Sequence, residues 1–468
     1  MVDEMTDKPN VIWLTLDSVR QDHTTMGGYD RETTPRIQNI ANKSDGVSFS
    51  SCFSHARASA TSVPSILSGT YPSRHGTYYQ ESSAFPDDLP LAAELFHDVG
   101  YNTVGISNNG YAGSLTGVDR GFDEFVLLGS SPAEILRSAG LRNVLKFARN
   151  IRSHSVGFST DTHAHSGAYL TTELAKERVQ QAEEPLFMYV HYNEPHRAYY
   201  PPLPYLDRFT EDLPMSGSEA AEIAMDVHHN LIEIAANGCN LSEEELAALK
   251  AMYDAEIAYT DDRVGMLYDC VQEELGDTIV VITADHGELF GEDDMLAHKY
   301  SMHNGVLHVP MVVQGLSDLS DEGVIQHSDV LSTLLSAAGA ETETVQGVDL
   351  REERREYAIS QSPQDSLKPL LEHNSEYNTS RFPTEPYSLI QDGRFKYVQR
   401  PDEPQLYRLP NEIENVIDDH PEVAERLDAQ LTEWLETEGQ PVGHREDIDI
   451  DEATRKRLAD MGYLDHEM

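Results

Sequence analysis

Two apolar, β-branched runs lie far apart in this chain, and each stops at a ligand-type residue. Val11–Leu16 ends at Asp17, and Thr278–Ala284 ends at Asp285 and His286. Both read as buried strands running into turns. Strands whose carboxyl ends carry polar groups are what a doubly wound α/β sheet gathers into one crevice. A carboxylate beside an imidazole in such a crevice suits a divalent metal. Alone, Asp285 and His286 read equally as a helix-capping carboxylate next to a core histidine. The two strand ends together point to a site.

The 468 residues can bury a large core, either as two or three domains or as one large α/β domain with an appendage. There are 34 Lys and Arg against 81 Asp and Glu, a formal net charge of −47. A surface so negative repels nucleic acid and anionic membranes. Acids spread along a folded chain with few Lys are expected of a cytoplasm holding molar salt, so a halophilic source is expected. Cys52, Cys239 and Cys270 form no spaced pair, which indicates a reducing interior without a disulfide framework. The start MVDEMTDKPN has no apolar signal region, and no run of about 18 apolar residues occurs. The expectation is a soluble, unexported, cytoplasmic protein, in which the acceptor patterns at Asn42, Asn240 and Asn378 have no use. Oligomeric state is open.

Along the chain, strands at 47–55, 102–107, 186–191 and 306–313 alternate with helices at 34–41, 90–99, 137–152, 169–183, 241–275 and 328–338. The pattern predicts βαβ units and a mostly parallel sheet. From about residue 350 the texture changes. Tyr387–Leu409 alternates apolar and polar residues across Asp392-Gly393, an antiparallel hairpin signal, and a helix at 421–436 closes the chain. The expected division is residues 1–350 as the catalytic domain and 351–468 as a small α+β subdomain.

If Asp17, Asp285 and His286 hold a metal, a nucleophile is still required. The segment Ala56–Gly76, ARASATSVPSILSGTYPSRHG, offers Ser59, Thr61, Ser62, Ser65 and Ser68 at the start of a helix. A helix N-terminus favours an anionic ester, and a metal lowers the pKa of a coordinated hydroxyl. Each of these residues could equally be a cap, and spacing does not choose among them.

Five ordered stretches carry a resemblance: VIWLTLDSVRQDH, SVPSILSGTYPSRHG, NNGYAGSLTGVDRGFDEF, VHYNEPHRAYYPP and ITADHGELFGEDDMLAHKYSMHNGVLHVPMVV. With the ending RLADMGYLD, they resemble the sulfatase-like branch of the alkaline phosphatase superfamily. The resemblance implies a large mixed, mostly parallel sheet sandwiched by helices. It also implies a metal-dependent hydrolase that cleaves a sulfate or phosphate ester through a hydroxyl. Counting back from Gly69, the family's nucleophile position falls on Ser59, with Thr61 second; SATSVPSILS also resembles the matching segment of phosphoethanolamine transferases.

The departures from the family pattern are specific. Sulfatases that use formylglycine carry x-Pro-x-Arg after the nucleophile, where this chain has Thr61 and Val63, so Ser59 is expected unmodified. Calcium sulfatases present two adjacent acids, where this chain has Asp17 then Ser18. The set Asp17, Ser59, Asp285 and His286 is similar to that of phosphodiester- and phosphonate-cleaving relatives. One divalent ion is implied, Mn²⁺ or Zn²⁺ favoured by the imidazole and Ca²⁺ or Mg²⁺ possible. The resemblance places His196 and His298 on the transferred group or the leaving oxygen. Lys299, one place off the family lysine, joins His191, Asn109, His303 and Arg57 as candidate pocket residues, with Arg20 and Arg57 also readable as internal ion pairs. The expected substrate is a small-molecule or glycan ester. The alternatives are a phosphodiesterase or phosphonate monoester hydrolase, a head-group transferase, and a catalytically silent binding protein on the same fold.

Overall fold

The computed structural model describes residues 8–78, 85–129, 131–155, 166–363, 366–400 and 403–443. The RLADMGYLD motif, the opening heptad and the His-bearing polar loop at 156–165 lie outside them. The strands, in chain order, are β1 (Asn10–Leu16), β2 (Gly46–Phe53), β3 (Asn102–Ser107), β4 (Glu124–Leu127), β5 (Leu186–Tyr192), β6 (Thr278–Ala284), β7 (Leu289–Phe290), β8 (Leu296–Ala297) and β9 (His308–Gln314). Seven of them form one sheet in the order β2-β9-β6-β1-β5-β3-β4, and β7 pairs only with β8. Strand β9 runs antiparallel to both β2 and β6, while β1, β3, β4, β5 and β6 pair in parallel.

Every residue of β1, β5 and β6 is buried. Their continuous apolar sequence follows from that position, because a central parallel strand has helices on both faces. The long helix Glu243–Glu274 starts with a Ser242/Glu245 capping box and three acids in its first turn, which complement the helix dipole. Its Asp261 carboxylate accepts from the Arg36 and Ile37 N–H groups, both at 2.9 Å, and so caps helix Pro35–Ala41. Helix Ser59–Ser68 follows β2 and ends at Gly69, whose φ of 64° is the left-handed conformation a C-cap needs.

A second sheet is antiparallel, ordered β10 (Ala358–Ser362), β11 (Tyr387–Gln391), β12 (Phe395–Gln399), β13 (Gln405–Arg408). The expected hairpin is β11 and β12, turning at Asp392-Gly393, with β13 as a third strand from the same stretch. Helix Pro421–Thr437 buries Leu427, Leu431 and Trp434 against it. Tyr71, just past the Ser59 helix, meets the Trp434 ring at 4.6 Å and joins the two parts.

Several elements differ from expectation. The run at 306–313 begins as a helical turn, Asn304–Leu307, because His303 Nδ1 accepts from Gly305 N–H at 2.9 Å; the strand starts at His308. Strand β2 ends at Phe53, since Ser54 N–H turns to Leu307 O at 2.8 Å. Strands β4 and β10 and the helices Gly217–His229, Leu231–Ala236 and Lys368–His373 add to the expected set.

Candidate active site

Register assembles the site. Leu16 pairs with Tyr192 on one side and Ala284 on the other, and Thr15 pairs with His191. The residues that leave the sheet next, Asp17 and Asp285, therefore emerge side by side with His191 adjacent. All four of Asp17, His191, Asp285 and His286 are buried. Ser18 turns the chain away in the left-handed region, at φ 65°. Its Oγ donates to Asp17 Oδ1 at 2.8 Å and its N–H to Asp285 Oδ1 at 3.2 Å.

Ser59, first residue of its helix, has Oγ 3.3 Å from Asp17 Oδ2 and 3.3 Å from His286 Nε2. Asn109, in the turn-rich loop after β3, spends its Oδ1 on Tyr111 N–H at 2.9 Å. Its amide nitrogen then faces the cluster, donating to Asp17 Oδ2 at 2.6 Å and Ser59 Oγ at 3.3 Å. His191 Nε2 lies 3.5 Å from Asp17 Oδ2, with the far ring nitrogen 3.0 Å from Tyr189 OH.

The donor set fits a divalent cation. Asp17, Asp285 and His286 each place one ligand atom within 4.8 Å of the others. Asp285 Oδ2 is buried and accepts no hydrogen bond from the described residues. His286 Nδ1 donates to Gly287 O at 2.9 Å, which leaves Nε2 facing Asp17 and Asp285 at 3.6 and 3.7 Å; burial lowers the ring's pKa, but these two charges outweigh burial and raise it, as they would favour a cation in the same place. The electrostatics agree. Burial and the neighbouring Asp17 charge raise the Asp285 pKa. Burial alone would raise Asp17 too, but the His191 hydrogen bond and the His286 ring beside it outweigh that and hold the carboxylate below its ordinary range. Two buried carboxylates of unlike affinity around an imidazole call for a positive charge between them.

The opposite wall is built from imidazoles. The His298 ring lies 4.3 Å from His286 and 5.3 Å from His196. Glu288 orients it: Oε1 lies 3.2 Å from His298 Nδ1, while Oε2 accepts from Tyr199 OH at 2.9 Å. Burial drives His298 well below its usual pKa and His196 down to about 3, so both rings are neutral at pH 7.

The structure thus brings Asp17, Ser59, Asn109, His191, Asp285 and His286 together, with His298 and His196 alongside. Half-buried Lys299 follows His298, and its charge helps keep that ring neutral. Arg57 directs its guanidinium to Ser362 Oγ at 2.5 Å, and Arg20 forms internal ion pairs with Asp22 and Glu292, each at 2.7 Å. His303 caps a turn and lines a separate cavity of about 240 Å³ beside β12 and β13. The Thr61 hydroxyl is buried without a hydrogen-bond partner among the described residues. Glu288 was not among the sequence candidates; the signal available was its place in the run Asp285-His286-Gly287-Glu288.

A mixed α/β sheet presenting a hydroxyl, two carboxylates and an imidazole at the edge of its central strands defines a hydrolase of the alkaline phosphatase-like fold. The family description "Sulfatase" matches residues 9–340, and the chain belongs to that family, the sulfuric ester hydrolase-like enzymes. The choline-sulfatase of Rhizobium meliloti (strain 1021) is 24% identical over 443 residues, 88% of this chain and 83% of the relative. The solved phosphonate monoester hydrolase of Agrobacterium radiobacter superposes with a TM-score of 0.71 at 22% identity, covering 94% of this chain and all of that one. A solved 2-O GAG sulfatase gives 0.67 at 20% identity, with 92% of each chain covered. At these identities the solved structures speak to fold. No helix among the described residues is long and apolar enough to cross a membrane.

Proposed function

We propose that this chain is a metal-dependent hydrolase of a sulfate or phosphate ester, with Ser59 as nucleophile and Asp17, Asp285 and His286 as metal ligands. The observation that carries the reading is Ser59 Oγ lying between the Asp17 carboxylate and His286 Nε2, beside the buried Asp285 carboxylate. A bound divalent ion would lower the hydroxyl pKa and offset the ester's charge, and Mn²⁺ or Zn²⁺ suits a set containing imidazole.

The chain's own groups supply the rest. Asn109 holds both Asp17 and Ser59 by its amide. Ser59 gives up its hydroxyl proton to water, and its oxygen bonds sulfur or phosphorus as the bond to the leaving oxygen breaks. His298, positioned by Glu288, lies where its ring, protonated once the anionic ester is bound, would hand a proton to the leaving oxygen, while His196, its Nδ1 committed to Arg197 O at 2.9 Å, borders the same space. Water then cleaves the covalent ester and releases the anion. The substrate is a small-molecule or glycan ester. The division near residue 350 belongs to this reading, since the main sheet ends with β9 and every strand of the second sheet follows it.

A second reading, phosphonate monoester or phosphodiester cleavage, is favoured by Ser18 standing beside Asp17 in place of a second acid, and by Thr61 and Val63 in the formylglycine register. The test is hydrolysis of an aryl sulfate, phosphate monoester, phosphodiester and phosphonate monoester in high salt, with Mn²⁺, Zn²⁺, Mg²⁺ or Ca²⁺ added, wild type beside Ser59→Ala. Activity lost in the variant supports the mechanism, and the preferred ester selects between the readings. Equal activity in both proteins moves the nucleophile to Thr61. We also read the −47 charge as fitted to a salt-rich cytoplasm; a fold that survives dilution to low salt unchanged would contradict that.

A further inference from the structure

The strongest anomaly in charge lies away from the site. Between Arg137 and Arg152 the chain carries Arg137, Arg142, Lys146, Arg149 and Arg152 with no acid, although the molecule's net charge is −47. Most of this stretch is helix Pro132–Arg149, broken by Gly140 at φ 74°. Its inward face packs against helix Ala168–Val179, with the Phe147 and Tyr169 rings 5.9 Å apart. Outward it shows Leu136, Leu141 and Leu145, which are 44%, 62% and 60% exposed. Leu141, Leu145 and Ala148 fall at helical spacing on one stripe flanked by arginines. Glu173 and Glu177 answer Lys146 and Arg142 at 2.7 and 3.6 Å, while Arg137, Arg149 and Arg152 make no ion pair among the described residues.

The complementary feature is on the same chain. Between Arg208 and Lys250 there are nine Asp or Glu and no Lys or Arg. Helices Gly217–His229 and Leu231–Ala236, with the start of Glu243–Glu274, enclose an open groove of about 490 Å³. Ile223, Val227 and Ile234 line it with Asp226, Glu233 and Glu245. An apolar slot bordered by carboxylates matches a leucine stripe bordered by arginines.

We propose that the Leu/Arg face of helix Pro132–Arg149 docks into the Ile223–Glu245 groove of a second copy of this chain. Charge decides the occupant. Pairing two such helices face to face would set cations against cations, and an anionic bilayer offers no slot for the leucines. The groove supplies both the apolar surface and the acids. Because helix face and groove are different surfaces, the contact runs head to tail and either closes into a ring or extends. Copies bearing −47 repel at long range, and the screening length falls from about 10 Å at 0.1 M salt to about 3 Å at 1 M. Association therefore strengthens as salt rises, because repulsion is screened while leucine burial remains.

Sedimentation velocity of the full chain at 0.1 M and 1 M KCl tests this. The wild type is expected to exceed monomer mass at 1 M. Leu141→Glu/Leu145→Glu removes the helix face and Asp226→Arg/Glu233→Arg removes the groove, and each variant should be monomeric with a wild-type circular dichroism melt. Mixed together, they should form a 1:1 heterodimer and stop there, since each keeps one working surface. If the leucine variant melts early, Arg149→Glu/Arg152→Glu at exposed positions replaces it. A wild type that stays monomeric at both salts, or a mixture that stays monomeric, overturns the proposal. So does a monomer that binds phosphatidylglycerol vesicles through Leu141 and Leu145.

Discussion

The strand-end cluster of Asp17, Ser59, Asp285 and His286 and the Gly291–His303 loop that carries His298 face each other, yet they are held by different means. The cluster inherits its geometry from the register of three central strands, with ligand atoms leaving the sheet one residue past paired positions. The loop has no such frame. Asp293, Asp294, Ala297 and Tyr300 all sit at positive φ, between 52° and 67°, a conformation costing about 1–2 kcal/mol for each non-glycine residue. Besides the short β7–β8 pairing and the Arg20–Glu292 ion pair, restraint comes from the far end of the chain. Arg381 pairs with Asp294 at 2.7 Å and donates to Asp293 O at 2.8 Å. Buried Lys396 donates to Met302 O at 2.9 Å and pairs with Glu412, which accepts from Asn304 N–H at 2.9 Å. The proposed metal ligands thus rest on the sheet, and His298, proposed to handle the proton, rests on a loop clamped by ion pairs, which can be altered singly.

The sharpest way to separate the two halves is Asp285→Asn. It should lower kcat/KM by about a thousandfold or more and remove bound metal, read by elemental analysis; retained metal would mean the ligand set is wrong. His298→Ala should cost about a hundredfold or more with metal content unchanged. The loss should be greatest for esters with poor leaving groups, and a uniform loss would argue against proton donation.

Breaking the loop's support is the next test. Lys396→Met leaves Glu412 as an uncompensated buried charge and should destabilise by about 3–5 kcal/mol in denaturant unfolding. Lys396→Met/Glu412→Gln should recover much of that stability. Its kcat should nonetheless stay below wild type with metal retained, since Met302 O has lost its donor. Full activity in the double variant would show that the loop needs no clamp.

Acid should strain the cluster's own scaffold. His327 Nε2 lies 2.8 Å from Ala284 O, and His75 Nε2 lies 2.9 Å from Ser65 Oγ; burial pushes their pKa values down to about 4 and about 3. The unfolded chain takes up these protons near pH 6.5 and the fold does not, so stability is full above that pH and falls as the pH drops toward 4. The slope is on the order of 1.4 kcal/mol per pH unit for each histidine. His327→Gln should flatten that fall, and an unchanged acid limb would assign it elsewhere. Lys299→Met should have the smallest effect, a severalfold rise in KM with kcat held, as expected for a half-buried cation that draws in an anion.

Legibility in sequence follows the same division. Asp17, Asp285 and His286 could be read because central strands are apolar throughout and the first polar residue past each end stands out. Ser59 could be reached only through family register, since five hydroxyls crowd the same helix. Glu288 drew no reading of its own, because its contact with His298 is set by the tertiary path of the loop. Strand β10, AISQS, is too short and polar to signal a buried strand, and helices 217–236 are interrupted at Asn230 by residues that serve loops as well as helices. The Lys396–Glu412 clamp joins residues whose closeness depends on how β12 and β13 lie against the loop.

Because β1 pairs with β5 and β6, the cluster is made from residues near 17, near 191 and near 285. Asp285 and His286 are neighbours in sequence, but the ligand set is complete only when Asp17 joins them. During synthesis, Asp17 can meet Ser59 and Asn109 early but must wait for Asp285 and His286, and that long-range contact is of the kind that closes late. If the proposed site takes up an ion, its uptake would report on completed folding: an ion held there would require the central sheet to have zipped in register, and its binding energy would stabilise only chains that have reached that point.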